Sequence, residues 1–246
     1  MKNEASYTVR FALVAVISAL LIFSLGVGFT MLMQKGNSST PLPVFNESTQ
    51  IRFVIDPGHG GEDAGAVAAD GTLEKDLNLQ LAIALALILE LNGNQAVLTR
   101  ETDTLLYDRY NDLTDYTGYK KVYDLKNRLK IAEEKENSVY VGIHMNKFEE
   151  SKYSGLQVYY SPNDARSNEL ALAVKDTVSS YLQPQNKRPV KKADSSIYIL
   201  NRAQMPAVLI ECGFMSNENE LSLLKTKEYR KDLALCLFLS IVDCFN

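Results

Sequence analysis

Followed along the alternation of apolar and polar positions, the chain divides into three unequal parts. From Phe11 to Met33 no charged residue occurs, and an apolar run of that length crosses a hydrocarbon core of about 30 Å as a helix. Gln34 to Gln50 is rich in Ser, Thr, Asn and Pro, the composition of a linker. From Ile51 onward, short β-branched runs alternate with helical patterns. Strands are predicted at Ile51–Asp56, Gln95–Thr99, Val139–Ile143, Gly155–Tyr160, Ser196–Leu200 and Ala207–Glu211. A first helix is predicted from Leu73 to Leu91, capped by Thr72, with Leu77, Leu81, Leu85 and Ile88 on one face. A second contains Leu125, Leu129 and Ala132, a third runs from Ser167 to Leu182, and the last from Lys227 to Phe245. Strands of continuous apolar character set between helices predict an α/β fold. The expectation is a single domain with a central, mostly parallel or mixed sheet of about six strands, flanked by helices and preceded by an N-terminal transmembrane helix. The Asp- and Tyr-rich stretch from Glu101 to Tyr119 is too polar for core and is expected as a surface excursion.

Charge orients this plan. Lys2 and Arg10 precede the apolar run and only Lys35 closely follows it, which by the positive-inside tendency keeps residues 1–10 cytoplasmic and 11–33 as a single-pass signal anchor. The linker, 34–50, and the folded domain, 51–246, are then extracytoplasmic at the cell membrane. A cleaved signal peptide and a secreted product compete, but such a signal has a shorter apolar core and a small-x-small cleavage site, for which Gly26-Val27-Gly28 is a poor candidate. A net charge of −4 argues against a nucleic-acid partner. Cys212, Cys236 and Cys244 form no CxxC pair and imply neither a disulfide framework nor a thiolate zinc site.

In open α/β sheets the chemistry collects beyond the carboxyl ends of the strands. Three segments meet there: Asp56-Pro57-Gly58-His59-Gly60-Gly61, His144-Met145-Asn146 and Glu211-Cys212-Gly213. The chain has two histidines, and both directly follow apolar strands. Neutral imidazole is the commonest zinc ligand, and a catalytic zinc takes three protein ligands with a fourth position left for water. Glu74, at the start of the first helix, supplies a third donor if the glycine-rich loop folds back over the strand end. Taken singly, each of these residues has a plainer explanation: a hydrogen-bonded structural histidine, or an acid complementing the helix dipole. Together they would be costly buried polar groups without a metal. Glu211 follows Ala207-Val208-Leu209-Ile210, so a carboxylate is set at the rim of a core strand, placed for general acid–base work or, more plainly, for capping the turn at Ser216 to Asn219. A phosphate-cradling loop is disfavoured, since Asp63 occupies the third glycine position of G-x-G-x-x-G and no Gly-Lys-Ser/Thr follows. Cys212 as a nucleophile lacks a local activating histidine.

Four blocks carry a resemblance: Val54-Ile55-Asp56-Pro57-Gly58-His59-Gly60-Gly61, Glu74-Lys75-Asp76-Leu77-Asn78-Leu79, Gly142-Ile143-His144-Met145-Asn146, and Pro206 through Asn217. In this order the chain from about Phe53 resembles the zinc-dependent N-acetylmuramoyl-L-alanine amidases of the type 3 class. The resemblance implies that His59, Glu74 and His144 ligate one Zn2+, that Glu211 is the catalytic glutamate, and that 51–246 is the catalytic domain. The substrate implied is peptidoglycan, cut between N-acetylmuramic acid and L-alanine. Leu98-Thr99-Arg100 and Arg128 also resemble family positions, with structural or substrate-groove roles and not catalytic ones, and Arg100 and Asn146 are expected at the substrate groove. Gly142, Met145 and Cys212 depart from the family's common residues without removing a ligand. The excursion ending Tyr116-Thr117-Gly118-Tyr119, followed by Asp124-Leu125-Lys126-Asn127-Arg128, resembles the spore-cortex subgroup, in which stem-peptide removal prepares muramic lactam. An activator protein is a further expected partner. The rival expectations are a zinc peptidase or carboxypeptidase acting on wall peptides and a non-catalytic wall-binding protein.

Overall fold

The computed structural model describes residues 50–245. The cytoplasmic stretch, the membrane span expected at 11–33 and all of the linker but Gln50 lie outside them. Among the described residues no helix is long and apolar enough to cross a membrane.

Strands β1 (Arg52–Pro57), β2 (Gln95–Leu98), β3 (Ser138–Asn146), β4 (Gln157–Tyr160), β5 (Lys191–Lys192) and β6 (Ala207–Phe214) form one sheet in the order β2-β1-β3-β6-β4-β5. Pairing is parallel except between β4 and β6. The sheet is therefore mixed, as expected. Helices α1 (Glu74–Leu91), α2 (Lys120–Glu133), α3 (Arg166–Tyr181), α4 (Tyr198–Arg202), α5 (Glu218–Lys225) and α6 (Lys227–Phe245) cover it.

Successive strand side chains point to opposite faces, which divides the core in two. Phe53, Ile55, Val141, Ile143, Val208 and Ile210 pack with Leu81, Leu85, Val174 and Leu237 of α1, α3 and α6. Val54, Tyr140 and Ala207 pack with Leu129 and Ala132 of α2 and Leu200 of α4. By the same alternation His144 and Glu211 belong to the second face, beyond the ends of its two helices.

Three local expectations are corrected. The segment predicted as a strand at Ser196–Leu200 turns into the short helix α4, and the edge strand is Lys191–Lys192 instead. Asp194 accepts from the backbone N–H and hydroxyl of Ser196, starting a turn that overrides the β preference of Ile197 and Ile199. Helix α5 was not foreseen; Asn217 caps it by accepting from the amides of Asn219 and Glu220, each at 3.1 Å. Finally, α1 is not capped by Thr72. Its first residue is Glu74, and its leading amides are satisfied by the loop before it, Glu74 N–H donating to Ala66 O at 2.9 Å and Lys75 N–H to Ala64 O at 3.2 Å.

That loop is the glycine-rich segment after β1, so the helix start and the strand end are fastened to each other. The excursion from Glu101 to Tyr119 is also less external than its polarity predicts. Leu106 and Tyr116 are buried, Asp124 and Asn127 of α2 bind its backbone, and Asp103 accepts from Gly61 N–H and Lys75 Nζ.

Candidate metal centre and cleft

The three expected ligands converge. Among the described residues, His59, Glu74 and His144 form a group whose donor atoms all lie within 4.8 Å of one another. Glu74 Oε1 is 3.0 Å from His144 Nδ1 and 3.3 Å from His59 Nε2, and the two imidazoles meet edge to face with centroids 5.0 Å apart. Glu74 is buried and held on both oxygens: Ala66 N–H donates to Oε2, while Met145 N–H and Asn78 Nδ2 donate to Oε1.

Local backbone makes this approach possible. His59 sits in the left-handed region, with φ of 63°, a conformation in which His is enriched among non-glycine residues. The space for its ring and its neighbours comes from glycine. A Cβ on Gly58 would lie 2.1 Å from the ring of His144, and one on Gly65 would lie 2.6 Å from Glu74 Oε2 and 2.7 Å from the ring of His59.

Glu211 is the register partner of His144 across β3 and β6. The residue is partly exposed, but its Oε2 is buried without a hydrogen-bond partner. Its carboxyl is raised to about 7: burial is the largest cause, His144 pulls the other way, the charge of Glu74 adds to the rise and His59 opposes it. Glu74 goes the opposite way: burial pushes it up, but its hydrogen bonds with His144 and His59 hold it well below the usual carboxylate range. For His59, burial is outweighed by Glu74 and Asp63, and its pKa is raised. Asp63 Oδ2 lies 3.0 Å from His59 Nδ1, out of line for a hydrogen bond but close enough to orient the ring.

The donor set fits a divalent metal. Two imidazoles and a carboxylate match the ligand count of a catalytic site with one open position, the glycines keep the space between the rings and Glu74 free of side chains, and the orphaned Glu211 oxygen is a buried acceptor that a bound water or amine would satisfy.

Behind the ligands lies a buried ionic frame. Arg128 Nη1 donates to Asp56 Oδ1 at 2.6 Å and to Pro57 O, Nη2 donates to His59 O at 2.7 Å, and Nε donates to Asp124. Thr99 and Tyr140 donate to Asp56 as well. Burial would raise Asp56; Arg128 first, then these hydroxyls, outweigh it and lower its pKa.

Arg100 belongs to the same frame and not to the groove. It is buried, with its guanidinium given to the carbonyls of Pro57, Gly58, Lys75 and Thr102. The expectation of substrate contact at Arg100 is corrected on that ground. Asn146 ends β3 opposite Phe214, outside the residues that line the cleft. Asn78 and Asp63 were not expected as supports, although Asn78 stands one helical turn after Glu74, where its amide reaches the ligand carboxylate.

A recess of about 460 Å³ opens beside the ligands. His59, His144 and Glu211 line one side, and Leu125, Lys121, Lys192 and Tyr198 line others.

The pattern of the family described as N-acetylmuramoyl-L-alanine amidase matches residues 53–243. The chain belongs to that family. It is an N-acetylmuramoyl-L-alanine amidase, a hydrolase of peptidoglycan. The amidase is similar to the germination-specific N-acetylmuramoyl-L-alanine amidase of Bacillus subtilis, at 32% identity over 78% of each chain. It is similar to the CwlD amidase of Clostridioides difficile, solved in complex with the GerS lipoprotein, at 38% identity and a TM-score of 0.73 over 79% of this chain and 98% of that one. The amidase AmiC2 of Nostoc punctiforme superposes with a TM-score of 0.65 at 32% identity, over 80% of this chain and 97% of that one.

Proposed function

We propose that this amidase holds one Zn2+ at His59, Glu74 and His144, uses Glu211 as its acid–base residue, and trims stem peptides from spore-cortex peptidoglycan. The observation that carries the catalytic part is the position of Glu211, across from ligand His144 with a buried and unpartnered oxygen.

When bound, zinc supplies Lewis acidity toward the lactyl carbonyl and lowers the pKa of water toward about 7. Glu211 takes the proton of the attacking water and later hands it to the departing amine of L-alanine. Asp63 orients the imidazole of His59, and Asn78 with the amides of Ala66 and Met145 fixes the carboxylate of Glu74. Asp56 and Arg128 set the backbone of the loop that presents His59. The products are a bare glycan and a peptide that begins with L-alanine.

The cortex assignment is supported by similarity to a germination-specific amidase and by the Tyr-rich excursion that braces the His59 loop. Similarity to an amidase solved in complex with a lipoprotein supports a lipoprotein as the partner protein. The uncharged run from Phe11 to Met33, with its basic flank before it, supports a membrane tether with the catalytic domain on the extracytoplasmic side.

The test is digestion of purified peptidoglycan by the full chain in detergent, with and without chelator. New amino-terminal L-alanine that disappears on chelation, with one zinc per chain by elemental analysis, is the expected result. New amino termini at other stem residues would make the enzyme a peptidase and overturn the assignment.

A further inference from the structure

The loop between β3 and β4, which leaves the strand end that carries His144, presents an exposed aromatic ring that the hydrolytic chemistry leaves without a task. Phe148 is 51% exposed, four residues after ligand His144. Its backbone N–H donates to Ser216 Oγ at 3.1 Å, and Ser216 lies five residues beyond Glu211. The preceding Lys147 donates to Val67 O, next to Ala66, whose amide binds Glu74. Phe148 is therefore tied through its loop to segments that neighbour His144, Glu211 and Glu74.

The loop is also firmly built. The ring of Phe148 stands edge to face on Tyr153 at 5.0 Å, and Arg188 lies over the rings of Tyr153 and Phe214. Asn217 donates to Ser151 O, and Glu220 accepts the amide of Gly155 and that of Phe214. An exposed apolar ring gains free energy when a ligand covers it, and a ring already fixed by its support is covered without an ordering cost.

We infer that Phe148, backed by Tyr153, is the platform on which the saccharide rings of the glycan strand stack while the stem peptide enters the recess. The two ends of the scissile amide differ in shape. A stem peptide has a free end and fits a recess of about 460 Å³, whereas a glycan strand continues in both directions from the muramic ring and must cross an open surface. The face of an aromatic ring takes the C–H face of a pyranose with apolar contact and without a hydrogen-bond code, which suits a repeating polymer. This inference rests on the amidase activity and assigns the side of the site on which the glycan lies.

The chain contains no tryptophan, so Phe148→Trp introduces one fluorophore at the platform. In the full chain in detergent, titration with peptide-free glycan strands is expected to give a saturable shift of its emission to shorter wavelength. No shift, in a variant that still releases stem peptide, overturns the inference. In parallel, Phe148→Ala is compared with wild type on intact strands and on a single-saccharide muramoyl peptide. The expected loss in kcat/KM is about tenfold larger on strands and falls on KM, with Phe148→Tyr restoring most of it. Equal losses on both substrates, or none, overturn the platform. Failure of the wild-type chain to release peptide from either substrate would instead overturn the amidase activity itself.

Discussion

The ends of the first and last long strands face each other across the metal centre and are built on opposite plans. Beyond β1, nearly every polar group is committed: Arg100 and Arg128 together bind the carbonyls of Pro57, Gly58 and His59, and Glu74 is held on both oxygens. Beyond β6, Glu211 keeps an oxygen that no protein group satisfies. Both acids lie near the same two histidines, Glu74 buried and Glu211 with one oxygen buried, yet the first is driven down and the second up to about 7. Hydrogen bonding to the charged form suits the first to hold a metal, and desolvation without such bonds suits the second to the proton-carrying role proposed for it.

The sharpest way to break this comparison is to remove the two roles one at a time by mutation. Glu211→Gln keeps the shape and removes the proton carrier. Turnover on peptidoglycan is expected to fall about 10³-fold, near the middle of the range for acid–base residues, with the metal content unchanged. His59→Ala is expected to lose the metal and the activity together. A Glu211→Gln enzyme that loses its metal, or one that turns over like wild type, would place Glu211 among the ligands or outside the chemistry.

The frame behind the ligands is the next test. Arg128→Met leaves Asp56 buried with only Thr99 and Tyr140 as partners, and breaking a buried pair from one side costs about 3 to 5 kcal/mol. The expected outcome is a lower urea midpoint with a matching loss of metal affinity, because Arg128 also holds the carbonyl of left-handed His59. The double variant with Asp56→Leu is expected to regain stability without regaining metal affinity. If both return together, the arginine acts only through global stability.

What was legible in the sequence follows the same division. Strand ends are readable because apolar runs stop abruptly at Asp56, His144 and Glu211, and the meeting of His59, Glu74 and His144 follows once those ends share one side of a parallel sheet. The frame was less legible. Arg100 was expected in the groove on the resemblance of Leu98-Thr99-Arg100 to family positions, whereas its burial depends on carbonyls presented by segments distant in the chain. Polarity likewise concealed the excursion's packing, since Asp124 and Asn127 bind its backbone and not its side chains. Ser196 to Leu200 has strand propensity but turns helical from Tyr198, because Asp194 fixes a turn two residues upstream of Ser196.

Acidity gives a subtler probe of the contrast. In the metal-free protein the folded pKa of Glu211, about 7, lies above its ordinary value of 4.5. Between these values the folded state keeps a proton that the unfolded chain has released, so stability falls as pH rises through the window. A shift of this size corresponds to about 3 kcal/mol by pH 8. Glu74 is shifted down, so its contribution is fully present above its unfolded value and does not change across this window. His59 is raised, so its contribution is present below 6.5 and is lost as pH rises through the higher folded value, in the same direction as Glu211. Comparing wild type with Glu211→Gln under chelator separates the two. The variant is expected to gain stability relative to wild type at pH 8 and not at pH 5, measured by urea unfolding. Parallel profiles would show that water reaches Glu211 more freely than its buried oxygen implies.

The smallest expected effect concerns how the β6 end is held from outside. Asn217 caps α5 through its side-chain oxygen and binds Ser151 O through its amide nitrogen. Asn217→Ala removes both and is expected to cost about 1 kcal/mol. Asn217→Asp keeps the cap, since a carboxylate accepts from the same two amides and complements the helix dipole, but it loses the bond to Ser151. If the loop from Lys147 to Gly155 depends on that bond, Asn217→Asp should match wild type in thermal stability while its loop amides exchange hydrogen faster. Slower exchange, or exchange unchanged from wild type, would mean that Ser216 and Glu220 hold the loop unaided.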